Sequence, residues 1–235
     1  MTPKISIVIA CFNEGKIIFC TYQKLLSEIK KINVPFEIIF CNDGSTDNTL
    51  EVLNRIKEND KNIKVISYYP NRGAGFAFRQ MYKIARGDIL VHMDADLAME
   101  PEDTVSAFLE EIKEADIVIG SRYLEIKADY PLYRLVFSRL NLWLNKVLFD
   151  CPFKDINSGF YALHREVLNK IELICSGFEI SLELFVKAKM YNFKIKEIPI
   201  KFTHQTEFKQ ANVLKQGLKT IIDIFKLRVN LRKRQ

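Results

Sequence analysis

The sequence predicts an α/β fold: a mostly parallel sheet with helices on both faces. Three observations lead there. Short β-branched runs recur at 5–10 (ISIVIA), 36–41 (FEIIFC), 63–68 (IKVISY), 88–93 (DILVHM) and 116–121 (DIVIGS). Helical periodicity fills the gaps at roughly 17–32, 46–59, 74–86 and 102–114. The runs are apolar almost throughout, as strands buried on two sides require. Strand–helix–strand alternation then implies right-handed crossovers.

In an open sheet of this kind, ligands bind beyond the carboxyl ends of the strands. The residues after each run therefore carry most information. Phe12, Asn13 and Glu14 follow the first strand. Phe12 reads either as a ring lying on a base or ribose or as a core side chain. Glu14 reads either as a helix cap or as a carboxylate for ribose hydroxyls. NDGSTDNT (42–49) follows the second strand. Asp43-Gly44 is a turn, Ser45 or Thr46 is a suitable N-cap, and Asp43 can accept a hydrogen bond from a base N–H. NRGAGFA (71–77) follows the third strand. Its spacing does not match the dinucleotide fingerprint and it has no Walker lysine, which disfavours redox cofactors and P-loop chemistry. Asp94 and Asp96 follow the fourth strand, and Gly120, Ser121 and Arg122 follow the fifth. All five loops are expected to meet on one edge.

The aspartate pair is the sharpest signal. Two carboxylates one residue apart at the end of an apolar strand repel each other and lose hydration. A hard divalent cation relieves both costs, and Mg²⁺ favours one or two carboxylates together with phosphate oxygens. Such a cation can also act as a Lewis acid on a leaving diphosphate.

The second half differs in character. Residues 130–149 read as a very apolar helix with one polar stripe, Arg134, Ser138, Asn141 and Asn145. Residues 151–168 read as loop, strand and helix start, 177–202 as helix then strand, and a basic amphipathic helix is expected from Asn212. The chain has 235 residues, 48% hydrophobic and 27% charged, with a formal charge of +6. That length is ample for one large core. Between Lys215 and Gln235 lie seven Lys or Arg and one acid, Asp223. The five cysteines form no C-x-x-C pair and read as free thiols in a reducing compartment. No signal peptide and no membrane-crossing helix are expected. No nucleic-acid motif is found.

In order and spacing, ISIVIACFNE, FEIIFCNDGSTDNT, NRGAGFA, GDILVHMDADLAMEPED and DIVIGSRY resemble glycosyltransferase family 2. KDINSGFYALHREVL, GFEISLEL and KIKEIPIKF narrow the resemblance to its polyprenyl-phosphate sugar transferases, over roughly residues 4–203. The resemblance implies a GT-A fold over 1–211, with a nucleotide-sugar half (1–125), an acceptor half (126–211) and the basic helix (212–235) beyond. It implies inverting transfer of a hexose from a nucleotide-diphosphate sugar, of GDP-mannose or UDP-glucose type, to a polyprenyl phosphate. By motif match Ala10, Phe12, Glu14, Asp43, Asp94, Ala95 and Asp96 would bind the nucleotide sugar. Asp94 and Asp96 would hold Mg²⁺ or Mn²⁺. Arg122, Arg134 and Ser138 would receive the acceptor phosphate, with Asp94, Asp96 and Arg122 as the catalytic set. A lipid acceptor implies peripheral attachment at the cytoplasmic face of a membrane through the 130–149 segment and the basic tail. The chain departs from the family pattern at Ala98 (commonly Gln), Ala10 (commonly Pro) and Gln205 (commonly Arg). Three alternatives stand beside this reading: a family 2 transferase with a soluble or polysaccharide acceptor, a catalytically weak nucleotide-sugar-binding homologue, and a membrane-surface adaptor using only the basic helix, which leaves the ordered loop set unexplained.

Overall fold

The computed structural model describes residues 4–96, 103–124, 142–200, 222 and 224–229. Arg134, Ser138, Ala98, Gln205 and most of the expected 212–235 helix lie outside these residues.

The five expected strands form: β1 (Ile5–Cys11), β2 (Phe36–Asp43), β3 (Ile63–Tyr68), β4 (Ile89–Asp94) and β5 (Ile117–Ser121). Between them run α1 (Ile18–Ile32), α2 (Thr49–Asn59), α3 (Ala74–Ile84) and α4 (Thr104–Glu111). Helix α5 covers 142–149 among the described residues. Strand β6 (Phe160–His164), α6 (Arg165–Lys170), α7 (Ile180–Met190) and β7 (Ile195–Pro199) follow, and residues 224–229 form α8. Helix α2 starts three residues later than its periodicity suggests. The N-cap position is neither Ser45 nor Thr46 but Asn48, which makes no side-chain cap bond; the Thr49 N–H is taken instead by Asp47 Oδ1 at 3.0 Å. Ser45 and Thr46 are used elsewhere, as described below.

The seven strands pair in the order β3-β2-β1-β4-β6-β5-β7. Every adjacent pair is parallel except the two made by β6, which runs antiparallel to β4 and to β5. β6 comes from the second half of the chain yet sits inside the sheet of the first, so the two halves share one set of hydrogen bonds.

Alternation within the strands explains the continuous apolar runs. Ile5, Ile7, Ile9, Phe40, Val91 and Phe160 face one way and pack with α1, α2 and α4 through Leu25, Ile29, Leu53, Ile56, Val105 and Phe108. Val8, Ile39, Leu90, Ile119 and Tyr161 face the other way and pack with α3, α7 and α8 through Phe78, Met81, Leu182, Phe185, Ile224 and Leu227. At roughly 1.5–3 kcal/mol for each fully buried large apolar side chain, both faces contribute strongly. α8 is thus seated on the core by Ile224 and Leu227, while Ile222, Phe225 and Val229 are exposed.

Candidate active site

The register places the aspartates. Ala10 pairs with Cys41 on one side and with Asp94 on the other, so these three residues form one row across β2, β1 and β4 at their carboxyl ends. Residues that pair in register share a face of the sheet. Asp94 therefore stands on the same face as the core residues Leu90 and Val8, at the rim where that core ends. Next to it, the α1 hydroxyl of Thr21 donates to the carbonyl of Ala95 at 2.8 Å, which fixes the link between the two aspartates. Gly159, just before β6, lies directly against Asp94. A Cβ on Gly159 would sit 1.9 Å from Asp94 Oδ2. Only glycine lets the carboxylate occupy this position.

The loops after β1, β2 and β3 are tied into one unit. Asn13, at φ 60°, accepts the Thr46 N–H at 2.8 Å and donates its own N–H to Ser45 Oγ at 3.0 Å. The Glu14 N–H donates to Thr49 Oγ1 at 2.9 Å, and the Gly15 N–H donates to Asp47 Oδ2 at 3.1 Å. The Glu14 carbonyl, rather than its carboxylate, accepts the Ile17 and Ile18 N–H groups that open α1. Asp43 ends β2 with its carboxylate turned to the third loop. Oδ1 accepts the Arg72 N–H at 2.8 Å, and Oδ2 accepts the Gly73 N–H and the Asn71 side-chain amide, both at 2.9 Å. Phe12 is 47% exposed, so of its two sequence readings the core one is excluded.

The electrostatics set the chemistry. Burial, the Asp96 charge and the Glu14 charge push Asp94 up to about 7, against an opposing pull from Arg122. Burial, Asp96 and Asp47 push Glu14 up to about 7 as well. Three carboxylates thus act on one another at the rim, and two hold their protons toward neutrality. That is excess negative charge waiting for a cation. Among the described residues, no group of three or more His, Cys, Asp or Glu is placed to hold a metal by itself. Two hard oxygen donors with positions left for phosphate oxygens and water fit Mg²⁺ or Mn²⁺ and do not fit a closed structural zinc site.

Arg122 leaves the end of β5 and meets Asp155. Its Nε donates to Oδ2 and its Nη2 to Oδ1, both at 2.7 Å, while its backbone N–H also reaches Oδ2 at 3.0 Å. Asp155 is buried and belongs to the loop before β6. From the same loop, Ser158 Oγ donates to the Gly120 carbonyl at 2.6 Å. Glu197 of β7 in turn accepts the Lys154 N–H at 2.9 Å and the Asp155 N–H at 2.9 Å.

Ala10, Phe12, Glu14, Asp43, Asp94, Ala95 and Asp96 thus gather on one rim, with Arg122 within electrostatic reach of Asp94. Arg134 and Ser138 lie outside the described residues. Asn145, the last member of their sequence stripe, is buried. Asp155, Gly159 and Glu197 had no role in the sequence reading. Their segments, DINSGF and KIKEIP, were visible, but no spacing rule ties them to Arg122 or Asp94.

A parallel α/β sheet with a carboxylate pair at the crevice beyond its fourth strand defines the GT-A class. The chain belongs to glycosyl transferase family 2, whose model matches residues 6–172. It is 32% identical over 204 residues to the dolichol-phosphate mannosyltransferase of Pyrococcus furiosus, covering 85% of this chain and 56% of that protein. The Saccharomyces cerevisiae dolichol-phosphate mannosyltransferase is 32% identical over 180 residues, covering 73% of this chain and 66% of that one. The chain therefore spans little more than half of the archaeal relative. Among solved structures, mannosyl-3-phosphoglycerate synthase from Rubrobacter xylanophilus superposes with a TM-score of 0.73 at 16% identity, over 99% of this chain and 76% of that one. Glucosyl-3-phosphoglycerate synthase from Mycobacterium tuberculosis, in complex with UDP, superposes with a TM-score of 0.71 at 19% identity, over 96% and 80%. A further structure of the latter protein holds Mn²⁺, UDP-glucose and phosphoglyceric acid. At these identities the likeness is one of fold.

Proposed function

We propose that this chain moves a hexose from a nucleotide-diphosphate sugar to a polyprenyl phosphate, with inversion at the sugar. The observation that carries the proposal is the rim of Glu14, Asp94 and Asp96, where burial and then mutual repulsion push Glu14 and Asp94 up to about 7, in a family 2 chain. Asp94 and Asp96 would hold Mg²⁺ or Mn²⁺. When bound, that ion neutralises the diphosphate and makes it a better leaving group.

The chain's own residues do the rest. The loop unit built on Asn13, Asp43 and Asp47 frames the nucleoside, with the exposed Phe12 ring against base or ribose. An acceptor phosphate is anionic near neutral pH, so its oxygen can attack the anomeric carbon without a strong base. The new C–O bond forms as the bond to the diphosphate breaks on the opposite face, which inverts the centre. Placement and charge neutralisation suffice to carry the rate. Arg122, with Arg134 and Ser138, receives that phosphate. Apart from Arg122, residues 1–125 serve the donor and 126–211 the acceptor.

Donors of the GDP-mannose or UDP-glucose type both suit the site. Mannosyl transfer to dolichol phosphate is what the names of the two curated relatives record. No helix among the described residues is long and apolar enough to cross a membrane. Contact with lipid would come from exposed Trp143 and Val147 on α5 and from Ile222, Phe225 and Val229 around α8, beside Lys146, Lys226 and Arg228. An apolar stripe flanked by bases fits the cytoplasmic surface of an anionic bilayer.

The test is transfer of radiolabelled mannose from GDP-mannose, or glucose from UDP-glucose, with Mn²⁺ and a polyprenyl phosphate. Label that extracts into organic solvent supports the proposal. Label retained in water on a phosphorylated or polysaccharide acceptor would replace it with the soluble-acceptor reading. Nucleotide binding without turnover would replace it with the non-catalytic one.

A further inference from the structure

Strand β7 lies at the edge of the sheet, three strands from β4, yet one of its carboxylates reaches Arg122 through two steps. Glu197 accepts the Lys154 N–H with both oxygens, at 2.9 and 3.0 Å, and the Asp155 N–H with Oε1 at 2.9 Å. Two successive backbone amides are thus gathered on one carboxylate. Charge-assisted bonds of this kind are short and strong, and they fix the peptide that makes them. That peptide carries Asp155, whose side chain is only 1% exposed.

Asp155 then spends both oxygens on one residue. Arg122 donates from Nε, Nη2 and its own backbone N–H. A guanidinium is a planar fork, so a bidentate partner dictates both its position and its plane. The Ser158 bond to the Gly120 carbonyl closes the same loop on the residue two before Arg122. Among the described residues, Arg122 is the cation that draws on Asp94 in the balance of charges around it. Its orientation therefore matters to the charge of the whole site.

We infer that Glu197 is a positioning residue for the acceptor side of the site, acting through Asp155 on the guanidinium of Arg122. This rests on the reading of Arg122 as an acceptor-phosphate residue. Glu197 touches no reacting atom. It holds the 154–155 peptide, the peptide places the Asp155 carboxylate, and the carboxylate sets the plane in which Arg122 meets an incoming phosphate. A misplacement of about 1 Å at such a residue can lower turnover by about 10²-fold.

The test compares Glu197→Ala, Glu197→Gln, Asp155→Asn and Arg122→Ala in the full chain. The probes are GDP-mannose and UDP-glucose as donors with Mn²⁺ and a short-chain isoprenyl phosphate as acceptor. The KM for acceptor is expected to rise about tenfold in Glu197→Ala and more in Asp155→Asn, while the donor KM stays within about twofold. Glu197→Gln keeps one carbonyl acceptor for the two amides and is expected to recover most of the loss. A merely structural role would move both KM values together or neither. The inference fails if Glu197→Ala leaves the acceptor KM unchanged while Arg122→Ala raises it. It also fails if donor and acceptor KM rise in step in both Glu197 variants. If Arg122→Ala itself leaves the acceptor KM unchanged, or if the parent protein does not use the isoprenyl phosphate, the acceptor reading of Arg122 falls first. The relay to it then falls with it.

Discussion

Asp94→Asn should make the protein more stable and less active at once. Asp94 sits at about 7 in the fold, raised from an ordinary 3.8 by burial, by Asp96 and by Glu14. The sign is opposite to that of most native carboxylates. Between pH of about 4 and about 7 the folded state binds more protons than the unfolded chain, so stability falls as pH rises through that window. Above it the penalty is complete. The rise from 3.8 to about 7, at 1.36 kcal/mol per pH unit, sets its ceiling at about 4 kcal/mol. Part of that belongs jointly to Glu14 and Asp96, and the new amide must find partners of its own. A gain of about 1–3 kcal/mol at pH 8 remains, worth roughly 2–12 °C in Tm for a chain of this size. The assay is thermal unfolding of parent and variant at pH 8 and pH 4, with and without Mn²⁺. Without metal the variant should unfold at the higher temperature at pH 8, and the gap should close at pH 4. With Mn²⁺ the parent should gain stability as a ligand of the folded state demands, and the variant should gain little. Hexose transfer should be lost in the variant. A variant no more stable than its parent at pH 8, or one that still transfers sugar, would refute the idea that Asp94 is held under charge stress for a cation.

Three more expectations follow from particular contacts. Gly159→Ala would push a Cβ into the Asp94 carboxylate, so turnover should fall by about 10²-fold or more while urea unfolding shows a loss of about 1–3 kcal/mol. Full activity would show that Asp94 can work from another rotamer. His92 is buried between the rings of Phe78 and Tyr161 and bonded to Tyr82 Oη at 2.8 Å; burial holds its pKa well below the usual value. A histidine kept neutral in the fold loses stability as pH falls below about 6.5, against the opposite trend of Asp94 and Glu14. The difference in urea midpoint between parent and His92→Phe should therefore change between pH 7.5 and 5.5, and a constant difference would count against it. Phe225→Glu should weaken sedimentation with phosphatidylserine vesicles by about tenfold or more, in a salt-dependent way. Unchanged sedimentation would remove α8 from the membrane contact.

How much of this was legible beforehand varies by residue. Strand β4 and its Asp94 were readable because a nearly continuous apolar run ends abruptly in charge. Asp43 was readable as a strand-end carboxylate, but its partners were not: the Arg72 and Gly73 amides come from a loop 29 and 30 residues away. The start of α2 was not readable because Ser45, Thr46, Asp47 and Asn48 are all able caps. The first loop engages Ser45 and Thr46 through Asn13 and shares Asp47 with the helix start through the Gly15 and Thr49 N–H groups.

By itself the sequence determined the alternation of strand and helix, the double-sided burial of the strands and the carboxylates at their ends. Each of these is local, written in the period and chemistry of neighbouring residues. The tertiary structure alone decided that β6 enters the sheet between β4 and β5, which brings Gly159 against Asp94 and Asp155 onto Arg122. Such pairings depend on which strand edges meet, and backbone hydrogen bonds between strands carry no side-chain signature. That is why 33 residues of separation between Arg122 and Asp155 left no trace in composition or spacing.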